Sequence, residues 1–269
     1  MPHIIAVPPL TPECPPEEEE PKPRLPPSRK TLERHAATLY PHLNCVTMFV
    51  GAMGRGKTLS TVMMAHWMQQ LFLIHGPRGY QQRTVVSIGT SVGLNKDSFG
   101  PIRHISVKEF IEQLQLMSAI AQEIIEQGID DEEDIAHYLQ FAVTSRGLLL
   151  YKAILICDEF HKLTNARKPT DRLNMAMLEF IAQLRHYDCT MIVQTPNPRN
   201  VDRQVRDQVR WVCKPDMDKV TSECRLVFRG PEGIHKWSFK GKLYFDMYNT
   251  KQFTGFNSKA LEKVLAKDV

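Results

Sequence analysis

An α/β architecture, a mainly parallel sheet with helices on both faces, is what this sequence predicts, and three observations carry it. Short apolar runs alternate with stretches of helical spacing. One run, Cys45–Val50, leads directly into a glycine-rich loop and then a helical pattern. Another, Ile154–Cys157, ends in two adjacent acids, Asp158 and Glu159. The 269 residues suffice for one such domain with a substantial core and a tail. With 42% apolar and 24% charged residues the chain is globular overall rather than disordered or fibrous. A formal charge of +4 is compatible with a nucleic-acid partner without singling one out.

Taken in order, the chain opens on a different kind of polymer. Ten of the eighteen prolines fall within the first 27 residues, beside the acidic run Glu17–Glu20. Such a segment buries too little apolar surface to offset its ordering entropy, which predicts a disordered, polyproline-like arm. It is either a plain leader or a docking arm for a partner. A short helix over 31–41, stopped by Pro41, would close it. The strand Cys45–Val50 comes next. A helix from Thr58 to about Leu73 follows, with Val62, Met63, Trp67 and Leu71 as inner positions. Thr84–Ile88 reads as a strand, and 106–146 as helix broken near Gly128. Ser106 and Glu109 have capping-box spacing, and the acids Asp130–Asp134 sit where the second helix starts, not in calcium-loop spacing. Strands at Tyr151–Cys157 and Cys189–Val193 flank a helix over Leu173–His186. A fifth short strand lies within Asp207–Cys213. Glu223–Phe228 and Ile234–Phe239 alternate around Gly230-Pro-Glu-Gly233, which predicts a hairpin, and Leu243–Met247 reads as one more strand.

None of the six cysteines forms a Cys-x-x-Cys pair, which argues against a zinc site, and Cys157 and Cys189 read as small buried hydrophobes. No apolar run reaches the roughly 18 residues a membrane helix needs, so no span of the chain's own is expected.

The chemistry sits on two motifs and two single residues. Gly51-Ala52-Met53-Gly54-Arg55-Gly56-Lys57-Thr58 matches G-x-x-x-x-G-K-[ST] between a strand and a helix. Glycines let backbone N–H groups converge on phosphate oxygens, and the helix N-terminus adds a favourable dipole. Lys57 is expected on the β- and γ-phosphates of ATP and Thr58 on Mg²⁺. Asp158 would hold the same Mg²⁺ and Glu159 would act as general base toward water. The acid pair, with no Asn-Lys-x-Asp motif, points to ATP rather than a guanine nucleotide. Gln194 ends the strand after Cys189, where a polar side chain can sense the γ-phosphate. Arg185 precedes that strand and is either a trans arginine finger or a solvated helix-end cation. Arg199, Arg203, Arg206 and Arg210 either contact phosphates or form a solvated basic surface.

Together these segments resemble the HerA/FtsK superfamily of DNA-pumping ATPases, and within it the small viral genome-packaging ATPases and zonular occludens toxin-like phage assembly proteins. The resemblance covers about residues 45–250 and includes Gln183–Thr195, where Arg185, a strand and Gln194 follow in the family's order. Val201–Arg206 and Phe245–Thr250 extend it weakly. It implies a RecA-like P-loop NTPase fold of the ASCE class, to which the residues themselves add the C-terminal β-hairpin and the Pro-rich arm, an arm that does not map onto the family. Residues 1–41 would be the arm and 42–269 the ATPase domain.

By the same resemblance, the function is an ATP-driven double-stranded DNA translocase, a viral packaging ATPase working as a pentameric or hexameric homo-oligomeric ring. It would grip the phosphate backbone, in the host cytoplasm or on the virion, and the arm would meet a virion or portal-vertex protein. The phage assembly or extrusion ATPase is the alternative. Asp158-Glu-Phe-His161 also fits a D-E-x-H helicase box, but the residues after Gln194 are too few for a second RecA-like domain.

Overall fold

The computed structural model describes residues 28–249 except 77–78, 90–91, 165 and 168–171. The readings of the arm before residue 28, of Thr250 and of the chain beyond it lie outside the described residues.

The first elements are helix α1 (Arg29–Leu39), strand β1 (Val46–Val50) and helix α2 (Lys57–Leu71). A small pair of strands, β2 (Ile74–Gly76) and β3 (Gly79–Gln81), precedes β4 (Val85–Ile88), β5 (Gly93–Leu94) and β6 (Ile102–Ile105). Helices α3 (Val107–Glu126) and α4 (Glu132–Ser145) lead to β7 (Ile154–Cys157). Helix α5 (Arg172–Ala182), β8 (Thr190–Thr195) and α6 (Arg203–Asp207) follow. The chain then runs through β9 (Trp211–Met217), β10 (Glu223–Gly230), β11 (Gly233–Lys240) and β12 (Tyr248–Asn249).

Eight strands form one sheet in the order β11-β10-β9-β1-β8-β7-β4-β6. From β9 to β6 every pairing is parallel, and β10 and β11 continue the sheet as an antiparallel hairpin. The fold class is the expected one. In particular, β8 lies between the strand that feeds the glycine loop, β1, and the strand that ends in the acids, β7.

Parallel strands need crossover helices, which cover both faces, so these strands read as unbroken apolar runs. β1, β4, β7 and β8 are buried at every position. Alternate residues go to two cores: Met48, Leu155, Cys157, Met191 and Val193 face α3, α5 and α6, while Phe49, Ile154, Ile156 and Ile192 face α2. The capping box at Ser106 is formed in both directions, with Glu109 N donating to Ser106 Oγ (3.1 Å) and Ser106 N to Glu109 Oε2 (2.6 Å). Asp131 caps α4 by accepting from the Glu133 and Asp134 amides.

α1 lies in the stretch assigned above to the arm. It packs on the domain: Leu39 is fully buried, and His35 stacks between Trp67 and Trp237 at 4.6 and 5.1 Å. Trp211 Nε1 donates to Pro41 O (2.9 Å), fixing the entering chain to the hairpin half of the sheet.

Three readings need correction. Leu243–Met247 is not a strand but part of two 3₁₀ turns; Tyr244 and Met247, three residues apart, both point inward, and β12 starts at Tyr248. The fifth strand begins at Trp211, and Arg203–Asp207 before it is helical because Asp202 accepts from the Gln204 and Val205 amides. The helix carrying Arg185 ends at Ala182 and continues as turns to Asp188. On α2 the four expected inner positions all lie on the core, Val62 and Met63 buried and Trp67 and Leu71 half-buried against it, and Leu59, Met64, Ala65 and Met68 are buried as well.

Candidate functional site

The glycine loop joins β1 to α2 at the C-terminal edge of the parallel strands. Gly51, Gly54 and Gly56 all have positive φ, at 144°, 77° and 86°. Gly56 caps α2 without a side chain, so the first amides of the helix face the loop rather than a capping oxygen. A Cβ on Gly56 would stand 3.2 Å from Cys224 Sγ and 3.3 Å from Met217 Cβ, tight contacts that add to the left-handed φ in favouring glycine between the loop and the hairpin. Below it Ser60 Oγ donates to Gly56 O (2.7 Å) and lies 3.4 Å from Cys224 Sγ. Lys57 Nζ donates to the Gly51 and Ala52 carbonyls at 2.8 and 3.1 Å. Its ammonium is therefore held over the loop. Ala52, Met53, Gly54 and Arg55 are exposed, and Arg55 pairs with Asp216 of β9 at 3.1 Å.

Thr58 Oγ1 donates to Gln194 Oε1 at 3.3 Å. Gln194 lies opposite Phe49 in the β1–β8 register and shares the α2-facing side of β8 with Ile192. It is 0% exposed, and its Nε2 amide is buried with no hydrogen-bond partner. A buried, unpartnered donor is costly, and its retention beside a phosphate-type loop is a sign of a ligand-facing group.

Asp158 follows β7 with the same parity as Ile154 and Ile156, which places it on the α2 side with Gln194. The Glu159 amide donates to Asp158 Oδ1 at 2.8 Å and orients that carboxylate. Glu159 itself has φ 51°, a left-handed conformation that non-glycine residues adopt rarely and that clusters at functional sites. Its Oε2 lies 3.4 Å from His161 Nε2 and 4.0 Å from Lys162 Nζ. His161 Nδ1 in turn lies 3.5 Å from Thr195 Oγ1, one residue past Gln194. Beyond His161 is a cleft of about 270 Å³ lined by His161, Ala166, Arg167, Arg199 and Asn200.

So the structure brings Gly51–Thr58, Asp158, Glu159 and Gln194 to one edge of the sheet, the edge where open α/β sheets bind ligands. The glycine conformations, the uncapped helix start and the orphan Gln194 amide fit a nucleotide with its metal, and Thr58 and Asp158 offer the oxygen donors a hard cation prefers. Arg185 is elsewhere. It is exposed in the turns before β8, at the opposite edge of the sheet from the glycine loop. The arginine run divides: Arg199 is exposed beyond the C-terminal end of β8, Arg203 pairs with Asp207, Arg206 donates to Pro198 O, and Arg210 pairs with Glu232 at the start of β9.

Three features were not read from the sequence. The His161–Thr195 bridge and the Arg55–Asp216 pair join residues far apart in the chain, which a local pattern does not reveal. Cys224 behind the loop carries no signal beyond its apolar strand. Asp158-Glu-Phe-His161 did mark His161, though as part of a helicase box.

A glycine loop between strand and helix, an acid pair closing a second strand, and a third strand between them define the additional-strand class of P-loop NTPases. The family model for zonular occludens toxin (Zot) matches residues 45–216, and the chain belongs to that family. Among solved structures, the N-terminal domain of zonular occludens toxin from Neisseria meningitidis is similar at 15% identity, with 77% of this chain and 100% of that one covered and a TM-score of 0.46. The genome packaging NTPase B204 from Sulfolobus turreted icosahedral virus 2, in complex with ATP-gammaS, is similar at 11% identity, with 72% and 96% covered and a TM-score of 0.43. ATPases 2 and 3 of EssC from Geobacillus thermodenitrificans are similar at 9% identity, with 83% of this chain, 43% of that chain and a TM-score of 0.44. None of the curated proteins matches the chain. Among the described residues no helix is long and apolar enough to cross a membrane.

Proposed function

We propose that this chain hydrolyses ATP with Mg²⁺ and uses the cycle to move double-stranded DNA through a homo-oligomeric ring, as a viral genome-packaging ATPase. The observation that carries the hydrolytic part is Gln194. It sits between the two motif strands, engages Thr58 through its oxygen, and keeps a buried N–H without a partner. A phosphate oxygen or the attacking water completes that donor. Lys57 would leave the Gly51 and Ala52 carbonyls for the β- and γ-phosphates. The Thr58 hydroxyl and Asp158 would hold Mg²⁺, whose charge offsets that of the phosphates. Glu159 takes the proton of the attacking water, and its backbone conformation fixes where its carboxylate points.

Arg185 acts in trans on this reading. Its position at the start of β8 puts it a full strand length, about 17 Å or more, from its own loop. A neighbour in a ring would present it to the next site, and a ring interface of this head-to-tail kind is heterologous and closed. The DNA contact is to the backbone and independent of sequence.

A second reading, a phage assembly or extrusion ATPase, is favoured by the match of residues 45–216 to the Zot family. One experiment separates the two: ATPase rate with and without duplex DNA, across protein concentration, for the wild type and Arg185→Ala. DNA stimulation that rises with concentration and is lost in Arg185→Ala is the result expected of a ring translocase. A slow rate indifferent to both DNA and concentration refutes the translocase and leaves the assembly ATPase.

A further inference from the structure

Among the described residues, the hairpin half of the sheet is covered on one side only, apart from Val212 at the start of β9, which packs on the other core. Cys213, Cys224, Leu226, Phe228, Trp237 and Phe239 pack into the core beneath α1 and α2. On the other side the same three strands present Lys214, Arg225, Arg229, Lys236 and Lys240, all exposed, against the two acids Asp216 and Glu223. The register makes these one surface. Lys214 and Lys236 flank Val227 in a single cross-strand row, and Arg225 and Arg229 lie two positions to either side of Val227. At strand spacing the two lysine backbones are about 10 Å apart and the two arginine backbones about 14 Å apart. Lys214, Arg229, Lys236 and Lys240 have no ion-pair partner among the described residues. Both acids are already engaged, Glu223 by Arg225 (3.2 Å) and Asp216 by Arg55 (3.1 Å).

We propose that this uncovered face of β9, β10 and β11 is where the chain grips the phosphate backbone of double-stranded DNA, an inference that rests on the translocase reading above. The chemistry is that of a polyanion. A pleated surface with unpaired cations offers repeated point charges and little apolar area. Over about 14 Å a duplex strand presents about four phosphates, a density this cluster matches. The lysines and arginines reach phosphates without reading base edges, as a motor indifferent to sequence needs. The face is also tied to the nucleotide end of the molecule. Asp216 lies in it, opposite Arg225, and holds Arg55 of the glycine loop. A phosphate that draws Arg225 shifts the charge facing Asp216, and with it the grip on Arg55.

The test is binding of a short duplex to the full chain by fluorescence anisotropy from 50 to 300 mM salt, an experimental range chosen to expose counterion release. It compares the wild type with the Lys214→Glu/Arg229→Glu/Lys236→Glu variant, whose melting temperature serves as the folding control. The expected result is a loss on the order of a hundredfold in affinity at low salt, with a log–log salt slope shallower by about 3. A milder pair, Lys214→Gln/Lys236→Gln, should flatten the slope by about 2 and covers the case in which the triple reversal fails to fold. Unchanged affinity and slope in variants of a wild type that does bind duplex overturn the assignment of this face and leave the translocase standing. A wild type that binds no duplex overturns both. Variants that lose binding to anionic phospholipid vesicles but not to duplex overturn the assignment in favour of a membrane surface. Binding restored to a variant by deleting residues 1–27 overturns it in favour of the acidic run of the chain's own arm.

Discussion

Replacing Gln194 with leucine separates stability from catalysis, and the two effects have opposite signs. The side chain is fully buried and its Nε2 donor has no partner, which costs about 1–3 kcal/mol in the folded state. Leucine has a similar volume and removes that penalty. It also removes the acceptor for Thr58, but Thr58 is only half-buried and its hydroxyl can turn to water, so this loss is about 1 kcal/mol. The net change is therefore between about zero and 2 kcal/mol of added stability. For a domain of this size that raises the melting temperature by roughly 0–8 °C. Nucleotide affinity should change little, because Lys57 and the loop amides are untouched. Hydrolysis should fall about 10²- to 10³-fold, the cost of losing one preorganised donor to the reacting phosphate, about 2.7–4 kcal/mol. Thermal melts, titration with a non-hydrolysable ATP analogue and a steady-state phosphate-release assay check the three statements. A variant that melts several degrees lower refutes the account of the orphan amide. One that hydrolyses at the wild-type rate refutes the sensor.

Other perturbations follow from the same geometry. Glu159→Gln should keep nucleotide affinity and lose about 10²- to 10⁴-fold in hydrolysis, read by single-turnover kinetics; a wild-type rate removes Glu159 as the base. Gly56→Ala places a Cβ against Cys224 Sγ and Met217 Cβ in a left-handed backbone, so it should cost about 1–3 kcal/mol of stability and most nucleotide affinity, seen by melting with and without ATP analogue. His42, buried against Trp211 and Phe228, is held well below its ordinary 6.5, at about 3, by burial first and by His235 second. The folded state keeps it neutral while the unfolded chain takes up the proton. Its contribution is therefore complete above pH 6.5 and is lost as pH falls toward 3. His42→Phe should be less acid-sensitive than the wild type by about 2 kcal/mol at pH 5, measured by denaturant melts at pH 7.5 and 5; equal acid sensitivity refutes the burial argument.

What the sequence made legible divides along physical lines. The fully buried parallel strands were readable because burial on both faces demands unbroken apolar runs, and Cys45–Val50 and Ile154–Cys157 have little else in them. That the glycine loop and the acid pair would meet at one sheet edge was readable because each follows a buried strand at a fixed motif spacing. Ile102–Ile105 was missed: as the outer strand of the parallel half it exposes Arg103 and His104, and its two isoleucines, three apart, form neither an alternation nor an apolar run. Leu243–Met247 misled because it is short and largely apolar; Tyr244 and Met247, three apart, share a face in 3₁₀ turns but would oppose each other in a strand. The spatial position of Arg185, at the far edge of the sheet, depends on strand direction and could be inferred only once the parallel order was known.

The surroundings of α2 have a consequence for how the proposed motor would make force. Nine of its side chains are buried. Its start is pinned by Gly56 against the hairpin. Near its end, Gln69 donates to the Arg83 and Pro101 carbonyls and accepts from the Gly100 amide. A lever needs room to move, and on this helix only Gln70 is exposed; tilting it would disturb close-packed contacts along the buried face. In the proposed motor this helix would act as an anvil, and the stroke would come from the segments that strike against it, the turns after β7 and β8 that carry Glu159, His161 and Arg199 at the rim of the sheet.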